Sequence, residues 1–450
     1  MTGRGSSLWW RPHAVVDMRP GELRALGWAW LYILSVLCSY YIIRPIRDDA
    51  GVAGGVEYLP WLFTGTLAGM LAVNPVFAAL VRRLPRVRFI AIAYRFFMVN
   101  LLLFVVLFGV ATPAQAIWVG RAFFIWSSVF NLFVVSVFWA LMVDVFDSAQ
   151  GRRLFGVIAA GATVGGLLGS TVTVALAPRV GVPLLLLLSM ALLEVAVFSV
   201  GRLAHLSDAV RRHPMPGAEE TPIGGGVLSG ITHAFRSTYL VNVSVYMLLY
   251  AVTSTFLYFE QAAVVARAFK DRGARTAFFA QVDLLVNALT LVIQLFLTGP
   301  MLRVLGVAMS LAILPALSVL GFAALGLAPV IATIVAFQVL RRTGNFAVAR
   351  PTREVLFTVV AREDKYKAKS FIDTVIYRAG DQLGAWSWGL LGAVGLGAAA
   401  TAWVAVPLSA AWLANAWWLG RRQERLASTE TAARPRAEPA AQAPSRMIGI

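Results

Sequence analysis

The chain has 450 residues, of which 59% are hydrophobic and only 14% charged, and its mean hydropathy is +0.74. This balance excludes an ordinary soluble domain and predicts an integral membrane protein embedded in a lipid bilayer. The net charge of +17 does not indicate nucleic-acid binding, because the basic residues fall in short clusters between apolar runs and not along one soluble face.

Twelve apolar stretches are long enough to cross a bilayer core of about 30 Å. They lie near residues 25–43, 59–81, 89–110, 115–143, 153–177, 183–204, 240–262, 276–298, 305–326, 328–350, 370–395 and 400–420. We therefore predict an all-α integral membrane protein with twelve transmembrane helices. The polar segment 205–238, rich in Pro and Gly, is the expected linker between two six-helix bundles, 25–204 and 239–420. The segments 1–24 and 421–450 are expected to be tails, the second of them disordered.

The basic residues of the loops predict the orientation. One set of alternate loops carries clusters of arginine, whereas the loops 111–114, 327–329 and 396–399 carry no basic residue. Both termini are therefore expected in the cytoplasm, with the protein in a bacterial inner membrane. One loop disagrees, because four basic residues fall on the predicted outer side: Arg267, Lys270, Arg272 and Arg275.

Two parts of the chain resemble each other at an offset of 215 residues, which aligns Gly165 with Gly380 and Gly169 with Gly384. Each of these helices follows a basic loop. Gly161, Gly165 and Gly169 also form a ridge of small residues, which indicates close helix packing. Two parallel repeats of six spans are the build of the major facilitator superfamily, in which two bundles rock around a cavity at mid-membrane.

Charged groups inside spans are costly and mark candidate binding positions. Arg44, Arg47 and Asp48 end the first span, where arginine suits a carboxylate or phosphate, although arginines extending to the membrane surface explain the pattern equally well. In span eleven, Arg378 and Asp381 share a helical face and are expected to form an ion pair facing the cavity. The further candidates are Arg95, Glu260 and Asp373.

Span eight carries a polar stripe, since Asp283, Asn287, Thr290 and Gln294 recur at helical spacing. Such a stripe lines a cavity or makes polar contacts with another helix, and both alternatives remain open. Near the cytoplasmic ends, basic residues set the orientation or form a gate. The gate candidates are Arg152, Arg153, Arg353, Glu354, Lys367 and Lys369, with Lys365 beside them.

Other site types have little support in the sequence. Cys38 is the only cysteine, and the four histidines share no ligand spacing, so we expect no disulfide, no metal and no cofactor. No GxxxxGK[ST] loop is present, so nucleotide hydrolysis is not expected to drive transport and the protein is not expected to be an enzyme.

Three segments resemble the nucleotide transporter family, the ATP/ADP translocases of plastids and obligate intracellular bacteria. They are "YYIIRPIRDDAGVAGGVEYLPWLF" (40–63), "FWALMVDVFDSAQGRRLFGVIAAGATVGGLLGS" (138–170) and "ARPTREVLFTVVAREDKYKAKSFIDTVIYRAGD" (349–381). The resemblance implies a major facilitator fold and a cavity that meets substrate phosphates. Two positions depart from the family: Arg47 and Asp381 stand where its members usually have lysine, and Asp381 reverses a charge in the cavity.

The sequence thus predicts a secondary transporter that works by alternating access, as a functional monomer, on a small organic anion such as a nucleotide. Exchange of the ATP/ADP type and ion-coupled uptake both remain open. The alternative is a non-transporting membrane scaffold or partner-binding protein that keeps the transporter fold, an interpretation that fits the changed residue at Asp381.

Overall fold

The computed structural model describes residues 22–83, 85–146, 148–210, 237–360, 368–369 and 371–433. The first half begins with α1 (Glu22–Ala53), α2 (Leu59–Arg83), α3 (Arg86–Val110) and α4 (Pro113–Val145). The helical stretch Ser148–Val210 is broken at Gly181, where φ is 71°, and so forms two helices, α5 (148–180) and α6 (182–210). A left-handed φ suits glycine, which has no Cβ to clash.

The second half follows the same plan. It contains α7 (Thr238–Ala268), α8 (Arg272–Phe296) and α9 (Thr298–Leu327), which is kinked at Gly306, where φ is 72°. Helix α10 runs from Ile331–Gly344 through a π turn, Asn345–Ala349, into Arg350–Leu356. Helix α11 begins with the π turn Ile372–Ile376 and continues as Tyr377–Ala393, and α12 is Ala398–Ala433.

The twelve predicted spans correspond to these twelve helices. Within the described residues, nine helices meet the length and hydropathy of a membrane span, and one of them contains both α5 and α6. Helices α10 and α11 complete the set, each interrupted by a π turn. The predicted fold class, an all-α membrane protein with two six-helix bundles, is confirmed.

Two helices extend well beyond their predicted ends. Helix α1 passes through Pro45 and ends at Ala53, not at the predicted residue 43. Proline removes one backbone hydrogen bond without ending the helix here, because the residues after it are buried in protein. Helix α12 continues to Ala433, into the segment expected to be disordered, where Glu424 accepts a hydrogen bond from the Ala308 backbone N–H at 3.0 Å. The central segment 211–236 and the segments 1–21 and 434–450 lie outside the described residues.

The glycines paired by the repeat make equivalent helix–helix contacts in the two halves. A Cβ added to either paired glycine of α5 would meet a backbone oxygen of α1, and one added to either paired glycine of α11 would meet a backbone oxygen of α7. The contacts are Gly165 with Leu34 (2.4 Å), Gly169 with Cys38 (2.4 Å), Gly380 with Leu248 (2.9 Å) and Gly384 with Val252 (3.0 Å). The residues touched are spaced by almost the same offset as the glycines. The repeat seen in the sequence is therefore a repeat of helix packing.

Candidate functional site

A cavity of about 210 Å³ lies where the two bundles meet, lined by α1, α2, α4 and α11. Its charged lining groups are Arg47, Arg378 and Asp381. Aromatic and polar side chains complete the wall, among them Tyr40, Phe63, Asn131, Tyr377 and Gln382. Two arginines face one carboxylate, so the lining carries a net positive charge.

On α11, Arg378 Nη1 lies 3.0 Å from Asp381 Oδ2, and Asp381 Oδ1 also accepts a hydrogen bond from Thr255 at 3.4 Å. The ion pair predicted from the sequence spacing is confirmed, and both members line the cavity. Asp373 does not line it. Its carboxylate lies 3.7 Å from Arg353 Nη2 instead, because it belongs to the π turn that precedes the cavity-facing part of the helix.

The charges of α1 lie in contacts between helices: Asp48 is buried, and the side chains of Arg44 and Arg47 are less than one-fifth exposed. Arg44 Nη1 lies 3.0 Å from Asp283 Oδ1 on α8, across the bundle boundary. Asp48 Oδ1 accepts from Arg47 Nη1 at 3.1 Å and from the Tyr258 hydroxyl of α7 at 2.9 Å. Since helix α1 continues past all of these residues, the alternative of a helix end with arginines at the surface is wrong.

The polar stripe of α8 is a helix-contact surface, and none of its members lines the described cavity. Asp283 is shared between Arg44 and Arg342, the latter at 2.7 Å. Asn287 packs beside Gly166 of α5 and donates to the Asp283 backbone oxygen at 2.9 Å.

Farther along α8, Gln294 donates to the Phe346 carbonyl at 3.2 Å, and Thr298, the first residue of α9, donates to the Ala347 carbonyl at 2.8 Å. Both carbonyls belong to the π turn of α10, where the regular hydrogen-bond ladder is interrupted. The interpretation of the stripe as cavity lining is therefore not supported for Asn287 or Gln294.

Two deeper candidates also lie away from the cavity. Arg95 of α3 pairs with Glu194 of α6 at 3.0 Å, and both side chains are more than half exposed on the outside of the first bundle. Glu260 of α7 is buried and accepts a hydrogen bond from the Trp388 indole of α11 at 2.8 Å. The sequence singled out both residues as deeper than those at span ends, but depth along a helix does not determine which way a side chain faces.

Asp49 joins the bundles at the end that contains the loops 54–58 and 269–271. Its carboxylate is fully buried and accepts hydrogen bonds from Arg272 Nε at 3.0 Å and Arg275 Nε at 2.6 Å, both on α8. The sequence analysis assigned these two arginines to the loop that contradicted the charge rule. Their partner explains their position, because they hold the two bundles together at this end.

At the opposite end, the described pairs stay within one bundle. Arg153 binds Glu22 at 3.0 Å, Lys369 forms an ion pair with Glu354, and Arg353 lies close to Asp373. Lys365 and Lys367 lie outside the described residues, as does the side chain of Arg152. The proposed gate set therefore includes charged groups that connect α1 with α5 and α10 with α11.

The sequence analysis missed two adjacent arginines in the middle of α10. Arg342 binds Asp283, and Arg341 is 2% exposed, donating to Thr253 Oγ1 at 2.8 Å and to Ser318 Oγ at 3.1 Å. The signal was available, since two neighbouring cations at the centre of a predicted span require buried partners.

Solved structures identify the fold of this chain, but no known family can be assigned to it. No protein-family model matches the chain, and no curated protein matches it. Among solved structures, it is similar to the POT family transporter PepTSo, with a TM-score of 0.57 and 13% identity over 91% of this chain and 99% of that one. It is also similar to a point mutant of the nucleoside transporter NupG, with a TM-score of 0.55 and 14% identity over 90% of this chain and all of that one. The protein thus shares the fold of these transporters.

Proposed function

We propose that the protein is a secondary transporter that works by alternating access and carries a small organic anion across the bacterial inner membrane. The observation that carries the proposal is the cavity at the bundle boundary, where Arg47 from the first half and Arg378 from the second half both contribute to the lining. Guanidinium groups bind carboxylate and phosphate with planar, charged hydrogen bonds. A solute held between these arginines contacts both bundles, as alternating access requires.

The contacts between bundles support the transport mechanism. Asp49 binds two arginines of the other bundle, and Tyr258 donates to Asp48 across the same boundary. These bonds form only while the bundles are together at that end, so they must break when the cavity opens there. With both termini in the cytoplasm, this end is the periplasmic one.

A nucleotide is the first candidate substrate, on the strength of the resemblance to ATP/ADP translocases. The aromatic rings of Tyr40, Phe63 and Tyr377 in the lining suit a planar base. Exchange and ion-coupled uptake are both compatible with the cavity. Asp381 pairs with Arg378 and so lowers the positive charge available for phosphates.

This neutralisation also favours the second candidate, a membrane scaffold or partner-binding protein that no longer transports. A cavity arginine already paired with a carboxylate in its own helix has a weaker attraction for an external anion. The two functions differ in one measurable property, because a transporter is stabilised by its substrate whereas a scaffold is not.

The test is a thermal-shift screen of the purified protein with nucleotides and other small organic anions. A ligand at a hundredfold its dissociation constant stabilises the protein by about 2.7 kcal/mol. Arg378→Gln should abolish that shift. Arg202→Gln is the matched control, because Arg202 lies over the Phe198 ring on α6, away from the cavity. Hits are then assayed for uptake and counterflow in proteoliposomes. If no anion stabilises the protein or is taken up, transport is excluded for the compounds tested and the scaffold function is favoured.

A further inference from the structure

The outer face of the first bundle carries an ion pair where the protein meets lipid. Arg95 Nη2 lies 3.0 Å from Glu194 Oε1, with 59% and 54% of the two side chains exposed. Their exposed neighbours are apolar: Ile92, Phe96 and Val99 on α3, and Val195 and Phe198 on α6. We call the surface formed by these seven residues the α3/α6 face.

This pair lies deep in the membrane span. Glu194 is near the middle of the segment between Gly181 and Leu206, so about 18 Å of helix separates it from either end at 1.5 Å per residue. Arg95 lies nine residues after the start of α3 at Arg86, about 14 Å along the helix. The acyl chains around the pair offer no hydrogen bonds. An exposed charge at this depth is unfavourable, and pairing reduces the cost without removing it.

Both groups retain unused bonding capacity. A guanidinium has five N–H donors and a carboxylate accepts at about four lone-pair positions, whereas the described contact uses one of each. A surface that presents one cation beside one anion is complementary to itself under two-fold rotation, since each cation then meets the other copy's anion. The surrounding side chains supply the apolar contact area of such an interface.

We propose that the α3/α6 face binds a second copy of this chain, with Arg95 of each copy bonded to Glu194 of the other across a two-fold axis. The four charges then form a closed ring that is shielded from lipid. Neither α3 nor α6 lines the described cavity, so each copy keeps its own transport site. Each copy in the dimer can therefore work on its own. The proposed dimer does not depend on which substrate the protein carries.

Cross-linking tests which face is used. In a Cys38→Ala background, Val99→Cys places a thiol on the α3/α6 face, where residue 99 is 66% exposed, and Leu320→Cys places one on α9, where residue 320 is 68% exposed. In membranes, a bifunctional thiol reagent should join two copies through position 99 and not through position 320. Equal cross-linking at both positions, or none at position 99, overturns the proposal. A cross-link from position 99 to a different protein overturns it as well, because the partner is then not a second copy.

Charge variants test the ring itself, with dimer fraction measured by subunit exchange between fluorescent copies at increasing lipid dilution. Arg95→Met with Glu194→Met removes both interchain bonds and leaves no polar group to replace them. It should raise the dimer dissociation constant by about tenfold, a value that follows from the strength of polar contacts in membranes. The exchanged pair, Arg95→Glu with Glu194→Arg, restores self-complementarity and should dimerise like the original chain. A monomeric original chain at all dilutions, or a neutral variant that dimerises equally well, contradicts the inference. Correct folding of each variant is checked by its melting temperature.

Discussion

Replacing Asp49 with asparagine should open the end of the protein that this carboxylate holds closed. Asp49 is fully buried and bonded to two arginines of the opposite bundle, so Asp49→Asn removes the charge without changing the shape. Breaking a buried ion pair from one side costs about 3–5 kcal/mol. Arg275 also donates to the Phe269 and Lys270 carbonyls and remains partly satisfied, which favours the lower value. A cost of about 3 kcal/mol falls on the closed arrangement alone and shifts its equilibrium with the open one by about 150-fold.

The shift is measurable as a distance between the two bundles. Glu57 and Lys270 are exposed, and they lie on the two loops that meet at this end. Spin labels on cysteines at both positions, in a Cys38→Ala background, report the separation by pulsed EPR without any assumption about membrane orientation. Asp49→Asn should add or enlarge a longer distance. Arg121→Gln is the control, because it breaks a 2.9 Å bond to the Gly54 carbonyl at the same end but within one bundle. An unchanged distribution for Asp49→Asn, or an equal change in the control, refutes the reasoning.

Two further predictions concern pairs and packing. Asp381→Asn leaves Arg378 unpaired, so the double variant with Arg378→Gln should be more stable than the sum of the two single losses predicts. We expect a coupling free energy of about 1–2 kcal/mol, measured by unfolding in detergent. Strictly additive losses would show that the pair contributes nothing to stability. Gly165→Ala places a Cβ about 2.4 Å from the Leu34 oxygen and should destabilise the protein by about 1–3 kcal/mol. The control, Gly156→Ala, has open space around the added Cβ and should be neutral or slightly stabilising. Equal melting temperatures of the two variants would contradict the packing argument.

The fold could be predicted largely from sequence because hydropathy reports on the bilayer, which acts on each span separately. Helix ends were less predictable. Helix α1 continues beyond Pro45 because protein, not water, surrounds the residues that follow, and this depends on helices far away in the sequence. The π turns of α10 and α11 are equally invisible to hydropathy. In α10, two carbonyls of the turn accept hydrogen bonds from the side chains of Gln294 and Thr298, and these partners cannot be assigned before the helices are placed.

The candidate site was predictable only where both partners belong to one helix. Arg378 and Asp381 are one turn apart, so their pairing follows from helical geometry. Asp283 has partners on α1 and α10, and neither can be assigned until those helices are placed beside α8. Arg95 shows the same limit, because its spacing gave the correct depth but its side chain faces outward.

The basic residues between α7 and α8 show how a violated rule can locate a contact between the bundles. Basic residues are normally kept from the outer side, so a cluster there requires a compensating contact. Asp49 provides that contact for Arg272 and Arg275. The aspartate lies on α1, next to Asp48, whose own partner Tyr258 also belongs to the other bundle. Two consecutive carboxylates of one helix therefore hold the second bundle at two points. Because such bonds stabilise only the arrangement in which the bundles touch at this end, the proposed transport cycle requires them to break there.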